Sequence, residues 1–150
     1  MRFTDEEIER YARHLVLREV GGSGQQNLKA ASVLIVGAGG LGAPAALYLA
    51  AAGVGRIVMA DPDVVDRSNL QRQVLYAEAD IGRPKVAAAA DHLRGLNPHV
   101  TVEGFEGAFD AASADGLVSG VDLVLDGTDD FGVRFCVNDA CVRHGRPLVS

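Results

Sequence analysis

The feature that most restricts how this chain can fold is an apolar run, a glycine-rich turn and an alanine-rich segment in direct succession. Ser32-Val33-Leu34-Ile35-Val36 shows no polar alternation, as expected of a strand buried on both faces of a parallel sheet. Gly37-Ala38-Gly39-Gly40-Leu41-Gly42 follows at once. Gly42 to Ala52, rich in alanine and leucine, then predicts a helix that Gly53 stops. Such a turn brings backbone N–H groups to a helix N-terminus, where a phosphate can sit against them. Gly37, Gly39 and Gly42 keep the GxGxxG spacing, and Gly40 adds room. The same glycines would also serve close packing alone, and they leave the type of nucleotide open.

The alternation continues along the chain. Arg56-Ile57-Val58-Met59-Ala60 predicts a second buried strand ending at Asp61, and a polar loop runs from Pro62 to about Asp80. Pro84 suits the first position of a helix that continues to about Arg94 and is ended by Asn97-Pro98. His99–Glu103 alternates as a strand with one polar face, a helix is expected near 111–118, and Val121–Leu125 is a further strand. Helix returns from about Asp130 to Arg143, and Pro147-Leu148-Val149 opens one more strand. This order predicts an α/β fold: a Rossmann-like, mainly parallel sheet with helices on both faces and right-handed crossovers. Ahead of it, Thr4-x-x-Glu7 reads as a capping box opening a short helix to about His14, with Ile8, Tyr11, Ala12 and Leu15 on its apolar side. Gly21-Gly22-Ser23-Gly24 is expected to break the chain there, and 25–30 to add a turn or two of helix. The expected division is an N-terminal helical arm over 1–30 and a nucleotide-binding domain over 31–150. Because the chain stops at Ser150, in or just after a predicted strand, it is expected to be a fragment.

Composition narrows the partners. With 150 residues and 48% hydrophobic content the chain can bury a core. Its formal charge of −6, with no long basic block, argues against nucleic acid as the main partner. The N-terminus lacks the apolar core of a signal peptide, and the small-apolar stretch near 43–54 is too short to span a membrane. A reducing cytoplasm is the expected location. Cys136 and Cys141 form neither a disulfide framework nor a CxxC pair. His14, His92, His99 and His144 are scattered without ligand or triad spacing, which leaves them structural roles.

The chemistry concentrates in four polar segments. Asp61, in Asp61-Pro62-Asp63, stands where an acid accepts hydrogen bonds from ribose hydroxyls; the alternative is a turn cap. Ser68-Asn69-Leu70-Gln71-Arg72-Gln73 supplies amide donors and the planar fork of Arg72, suited to phosphate oxygens; on its own it would read as a solvated turn. Lys85 falls in the first turn of its helix, where a cation opposes the helix dipole and an anion would offset the cost; the alternative is an idle surface lysine. Asp126-Gly127-Thr128-Asp129-Asp130 follows a strand, at the crevice end of a parallel sheet. One of Asp129 and Asp130 can offer an oxygen to Mg²⁺ beside phosphates while the other caps the next helix. Fixed cations and a metal carboxylate beyond the glycine turn point to ATP rather than to redox chemistry on a dinucleotide.

In this order the motifs closely resemble the ThiF/MoeB/HesA family of adenylyltransferases, relatives of the ubiquitin-activating enzymes. The resemblance starts at Arg10-Tyr11-Ala12-Arg13-His14 and Gly24-Gln25-Gln26, and takes in Val33–Gly42, Ala52-Gly53-Val54-Gly55 and Ser68–Gln73. It continues through Arg83-Pro84-Lys85, Leu96-Asn97-Pro98 and Asp126-Gly127-Thr128-Asp129. It implies that the C-terminal carboxylate of a ubiquitin-like sulfur-carrier protein attacks the α-phosphate of MgATP, giving an acyl-adenylate and pyrophosphate. By the same resemblance Gly40 packs near the nucleotide, Asp61 holds the ribose, and Asn69, Arg72 and Lys85 bind phosphates. Asp129 ligates Mg²⁺, and Arg13 reaches the ATP of a neighbouring subunit, which implies a homodimer. Family members often carry Asn after the metal-binding Asp; here the residue is Asp130. The CxxC pairs that bind structural zinc in many members are missing, so zinc is not assigned to this chain. Two other readings stand beside this one: a nicotinamide-dependent oxidoreductase, on GxGxxG and Asp61, and a non-catalytic scaffold that binds a carrier or dimerises.

Overall fold

The computed structural model describes residues 2–150. Thr4 opens α1 (Asp5–Arg10) with the expected capping box: its hydroxyl accepts from the Glu7 amide, and the Glu7 carboxylate accepts from the Thr4 amide. The helix breaks at Tyr11 before α2 (Ala12–Leu15), so the arm is two short pieces rather than one run to His14. Of the expected apolar side, Tyr11 is buried, whereas Ile8 and Ala12 are exposed. The glycines at 21–24 do not break the chain; they lie in the first turn of α3 (Gly21–Ala30). Packing overrides their poor propensity. Gln25, wholly buried, accepts through Oε1 from His14 Nδ1 at 2.8 Å and donates from Nε2 to the Ala52 carbonyl.

The sheet follows: β1 (Ser32–Val36), α4 (Gly42–Ala52), β2 (Arg56–Ala60), α5 (Lys85–Leu96), β3 (Thr101–Phe105), α6 (Ala114–Ser119), β4 (Leu123–Asp126), α7 (Phe131–His144) and β5 (Leu148–Val149). Five strands pair in the order β3-β2-β1-β4-β5, each pair parallel. Alternate side chains of the central strands feed two cores. Val33, Ile35, Ile57 and Met59 meet α4 and α5 on one face, while Leu34, Val36, Val58 and Val124 meet α6 and α7 on the other. That two-sided burial is why β1 and β2 read as unbroken apolar runs. Pro84 is not the first helical residue; it is the extended N-cap of α5, and Lys85 takes the first position.

The chain order reverses between β1 and β4, whose neighbouring ends form the switch point of an open parallel sheet, the usual seat of a ligand. Two glycines make that junction. Gly37 has φ +92°, a left-handed backbone that side chains rarely adopt, and a Cβ on Gly42 would lie 1.7 Å from the Gly37 carbonyl oxygen. Gly42 therefore lets α4 start hard against the end of β1.

The arm is pinned to the opposite end of the sheet. Tyr11 lies against Gly53, and its hydroxyl accepts from Asn97 Nδ2 at 2.8 Å. Arg10 donates to the Leu96 carbonyl, and Lys29 pairs with the buried Glu7 at 2.6 Å. No helix among the described residues is long and apolar enough to cross a membrane.

Candidate functional site

A cleft of about 640 Å³ opens over the carboxyl ends of the central strands, at the switch point. Gly37, Gly39 and Gly40 form its floor, Asp61 and Asp63 one wall, Asn69, Arg72 and Lys85 another, and Asp129 and Asp130 the rim. Ten of the residues singled out from sequence thus come together from five separate stretches of chain.

Asp61, at the end of β2, is buried and ties this floor together. Its Oδ2 accepts from the Ala38 amide at 2.7 Å and its Oδ1 from the Asp63 amide at 2.8 Å. Each oxygen keeps a further lone pair for hydroxyl donors in the cleft. Tyr76 fastens the same turn by donating its hydroxyl to the Ala38 carbonyl at 2.7 Å. Burial, with Asp61 and Asp80 near, pushes the Tyr76 phenol up, so it stays a donor at neutral pH.

The loop after β2 is shaped by its own polar groups. Asp66 and Asn69 cap a short 3-10 turn reciprocally: the Asn69 Oδ1 accepts from the Asp66 amide, and Asp66 accepts from the Ser68 amide and hydroxyl. Arg72 donates to the Ser68 carbonyl at 3.2 Å and lies over the glycine turn, its Nε 3.6 Å from where a Gly40 Cβ would sit. An antiparallel bridge from Val64 to Pro84 and the Lys85 amide, donating to the Asp63 carbonyl, draw the start of α5 beside Asp61. The far side of the loop is anchored by Asp80, buried, which accepts from the Ala77 amide, Arg83 and His92.

Lys85 is the electrostatic centre of the cleft. It is 6% exposed, yet among the described residues no carboxylate lies within ion-pairing distance of its ammonium and no group accepts from it. A buried cation without a partner is costly. Arg72 likewise has no carboxylate partner among the described residues. Two unpaired cations over a glycine turn make an anion site.

Asp126 shapes the rim. Its Oδ1 accepts from the Thr128 amide at 3.0 Å and its Oδ2 faces Arg134 at 3.5 Å, which sets the turn bearing Asp129. Asp130 is the N-cap of α7, accepting from the Val133 amide at 2.9 Å, while Asp129 stays exposed on the cleft edge. Among the described residues no cluster of three or more His, Cys, Asp and Glu could hold a metal by itself. The donor set instead fits an ion that takes one or two carboxylate oxygens beside phosphates.

Five residues expected in the site do not line the cleft. Gly42 is a packing residue, Ser68 is spent on the Asp66 cap, Leu70 packs on the core and Gln71 is exposed. Arg13 is exposed on α2 in the arm. Sequence reasoning missed Gln73, Ala108, Phe109 and Thr128, which do line it. Gln73 was visible only as the residue after Arg72; Phe109 follows β3 in a stretch with no motif. No histidine or cysteine lines the cleft among the described residues. Burial pushes the thiols of Cys136 and Cys141 up, as inert packing residues should behave.

Known proteins share this architecture. The SAMP-activating enzyme E1 of Haloferax volcanii is 50% identical over 143 residues, covering 95% of this chain and 53% of its own length. The sulfur carrier protein adenylyltransferase of Thermus thermophilus is 49% identical over 149 residues, covering 99% and 55%. A solved structure of TcdA from E. coli, a tRNA N6-threonylcarbamoyladenosine dehydratase in complex with ATP, superposes with TM-score 0.92 at 27% identity over 99% of this chain and 60% of that one. The chain therefore spans about half the length of these two relatives. The ThiF family matches residues 11–150, from the pinned Tyr11 to the last strand, and this chain belongs to that family.

Proposed function

We propose that this chain is the ATP-binding part of an adenylyltransferase that activates the C-terminal carboxylate of a ubiquitin-like sulfur-carrier protein for sulfur transfer in cofactor biosynthesis. The observation that carries the reading is Lys85: a residue 6% exposed, whose ammonium has no ion-pair or hydrogen-bond partner among the described residues and which lines the cleft with the glycine turn. A polyphosphate is the ligand that offsets it. The names of the relatives and the ATP-bound structural neighbour support the same choice.

The chemistry asks little of the protein beyond placement and charge neutralisation. A carboxylate oxygen of the carrier bonds to the α-phosphorus, the bond from that phosphorus to the bridging oxygen breaks, and pyrophosphate leaves with the electron pair. The nucleophile is already ionised and no proton moves, which suits a cleft without histidine or cysteine. Asp61 orients the ribose through its remaining lone pairs. Arg72, Lys85 and the free amide of Asn69 hold phosphate oxygens and stabilise the charge developing on the leaving group. Asp129 would be the protein ligand of Mg²⁺, which neutralises phosphate charge when bound. Asp130 is committed to capping α7, so its extra charge acts at the edge of the site. Arg13, offered from the arm, reaches the nucleotide of a second subunit in a homodimer. The protein works in the cytoplasm.

The test is carrier-dependent exchange of radiolabelled pyrophosphate into ATP. Exchange should require a carrier with a free C-terminal carboxylate and vanish with the C-terminally amidated carrier. Exchange that proceeds equally with the amidated carrier would refute the assignment.

A further inference from the structure

Gln73 has a contact pattern that packing alone does not explain. The residue is 2% exposed, lines the cleft, and its Oε1 is sealed with no hydrogen-bond partner in the protein. Its Nε2 stands 3.4 Å from where a Cβ on Gly39 would lie, so the amide sits against the glycine turn. Its backbone is held from both sides, the amide N–H donating to Asn69 and the carbonyl accepting from Tyr76. Tyr76 is itself bonded to Ala38 in the same turn. The side chain is thus carried to the phosphate seat by a fixed segment.

A buried amide with an orphaned oxygen is a liability, because burial removes its water and nothing replaces it. Methionine would fill the same space without an orphaned atom. The amide therefore needs a use, and the atom nearest the turn supplies it. We infer that Gln73 is a further ligand-contacting residue, its Nε2 donating to a phosphate oxygen seated on the Gly37–Gly40 turn. Donation draws the amide toward the turn and moves Oε1 off its sealed seat. The inference rests on the nucleotide reading above and adds one donor beside Arg72 and Lys85.

The test compares wild type, Gln73→Met, Gln73→Glu and Lys85→Ala by MgATP titration calorimetry and by thermal melting without ligand. Gln73→Met should weaken MgATP by about tenfold or more, the loss expected for a hydrogen bond to a charged acceptor. Its ligand-free melting temperature should hold or rise, since the orphaned oxygen is gone. Gln73→Glu, close in shape but with only acceptors facing the phosphates, should bind more weakly still, and it keeps the result readable if the methionine variant is unstable. MgATP affinity within about twofold of wild type in both Gln73 variants, while Lys85→Ala loses binding, would overturn the inference and leave the nucleotide reading intact. A wild-type protein that binds no MgATP would overturn both.

Discussion

Replacing Asn97 with Ala should release the N-terminal arm, and the cost can be worked from its three hydrogen bonds. Asn97 is wholly buried at the end of α5. Its Nδ2 donates to the Tyr11 hydroxyl and the Ala50 carbonyl, each at 2.8 Å, and its Oδ1 accepts from the His99 amide at 3.1 Å. The Ala50 carbonyl keeps a bond from the Gly53 amide at 3.1 Å and is not orphaned. The Tyr11 hydroxyl loses its one partner among the described residues. One orphaned buried group, a lost amide bond and a small cavity together cost about 2–4 kcal/mol. Tyr11→Phe removes one of the same bonds and should cost about 1 kcal/mol. Because the two residues share a bond, the double variant should fall short of the sum. Urea unfolding with unchanged m measures both effects, and proteolysis after Arg10 and Arg13 should quicken as the arm frees. A cost for Asn97→Ala below about 0.5 kcal/mol, or strict additivity with Tyr11→Phe, would refute the pin. Arg13 lies two residues beyond Tyr11, so the same variant should disturb any contact the arm makes with a second subunit.

Two further outcomes follow from particular side chains. Burial pushes the Asp80 carboxyl up, but the Ala77 amide, His92 and Arg83 more than reverse this, so its net direction is down. A depressed carboxyl contributes stability above the ordinary Asp range of about 4, lost as pH falls through the lower folded value. Acid unfolding curves should therefore flatten in Asp80→Asn. At neutral pH that variant should be less stable by about 1–2 kcal/mol, the half-exposed Arg83 and His92 being screened; equal acid sensitivity of the two proteins would contradict the coupling. Asp130→Ala should cost about 1 kcal/mol by removing the α7 cap, whereas Asp130→Asn, which keeps an accepting oxygen, should stay within about 0.5 kcal/mol; equal losses on melting would rule the cap out.

Those parts of the fold that depend on local pattern were legible in the chain. β1 and β2 stand where their apolar runs lie, and α4 ends at Gly53 with φ +89°. The glycine turn, Asp61, Arg72, Lys85 and Asp129 were legible because their residue types name the chemistry and the strand ends put them on one side of the sheet. What escaped depends on contacts made across the chain. Gly21–Gly24 reads as a break, and becomes helix because Gln25 is seated between His14 and Ala52. Tyr11 reads as one apolar residue among several, and its role appears only with Gly53 and Asn97 beside it. Ser68 and Gln73 flank the same run. The cap on Asp66 turns one away, and the Tyr76–Ala38 bond brings the other in, which no spacing reveals.

The most direct measurement is calorimetric titration of the protein with MgATP and, in parallel, NAD, repeated on Lys85→Met. Wild type should bind MgATP and ignore NAD. The variant should lose about a hundredfold or more in MgATP affinity while its ligand-free melting temperature holds, because no ion pair or hydrogen bond of the folded protein is removed with the ammonium. Undiminished MgATP binding in Lys85→Met, or binding of NAD without ATP, would contradict a triphosphate site built around this lysine.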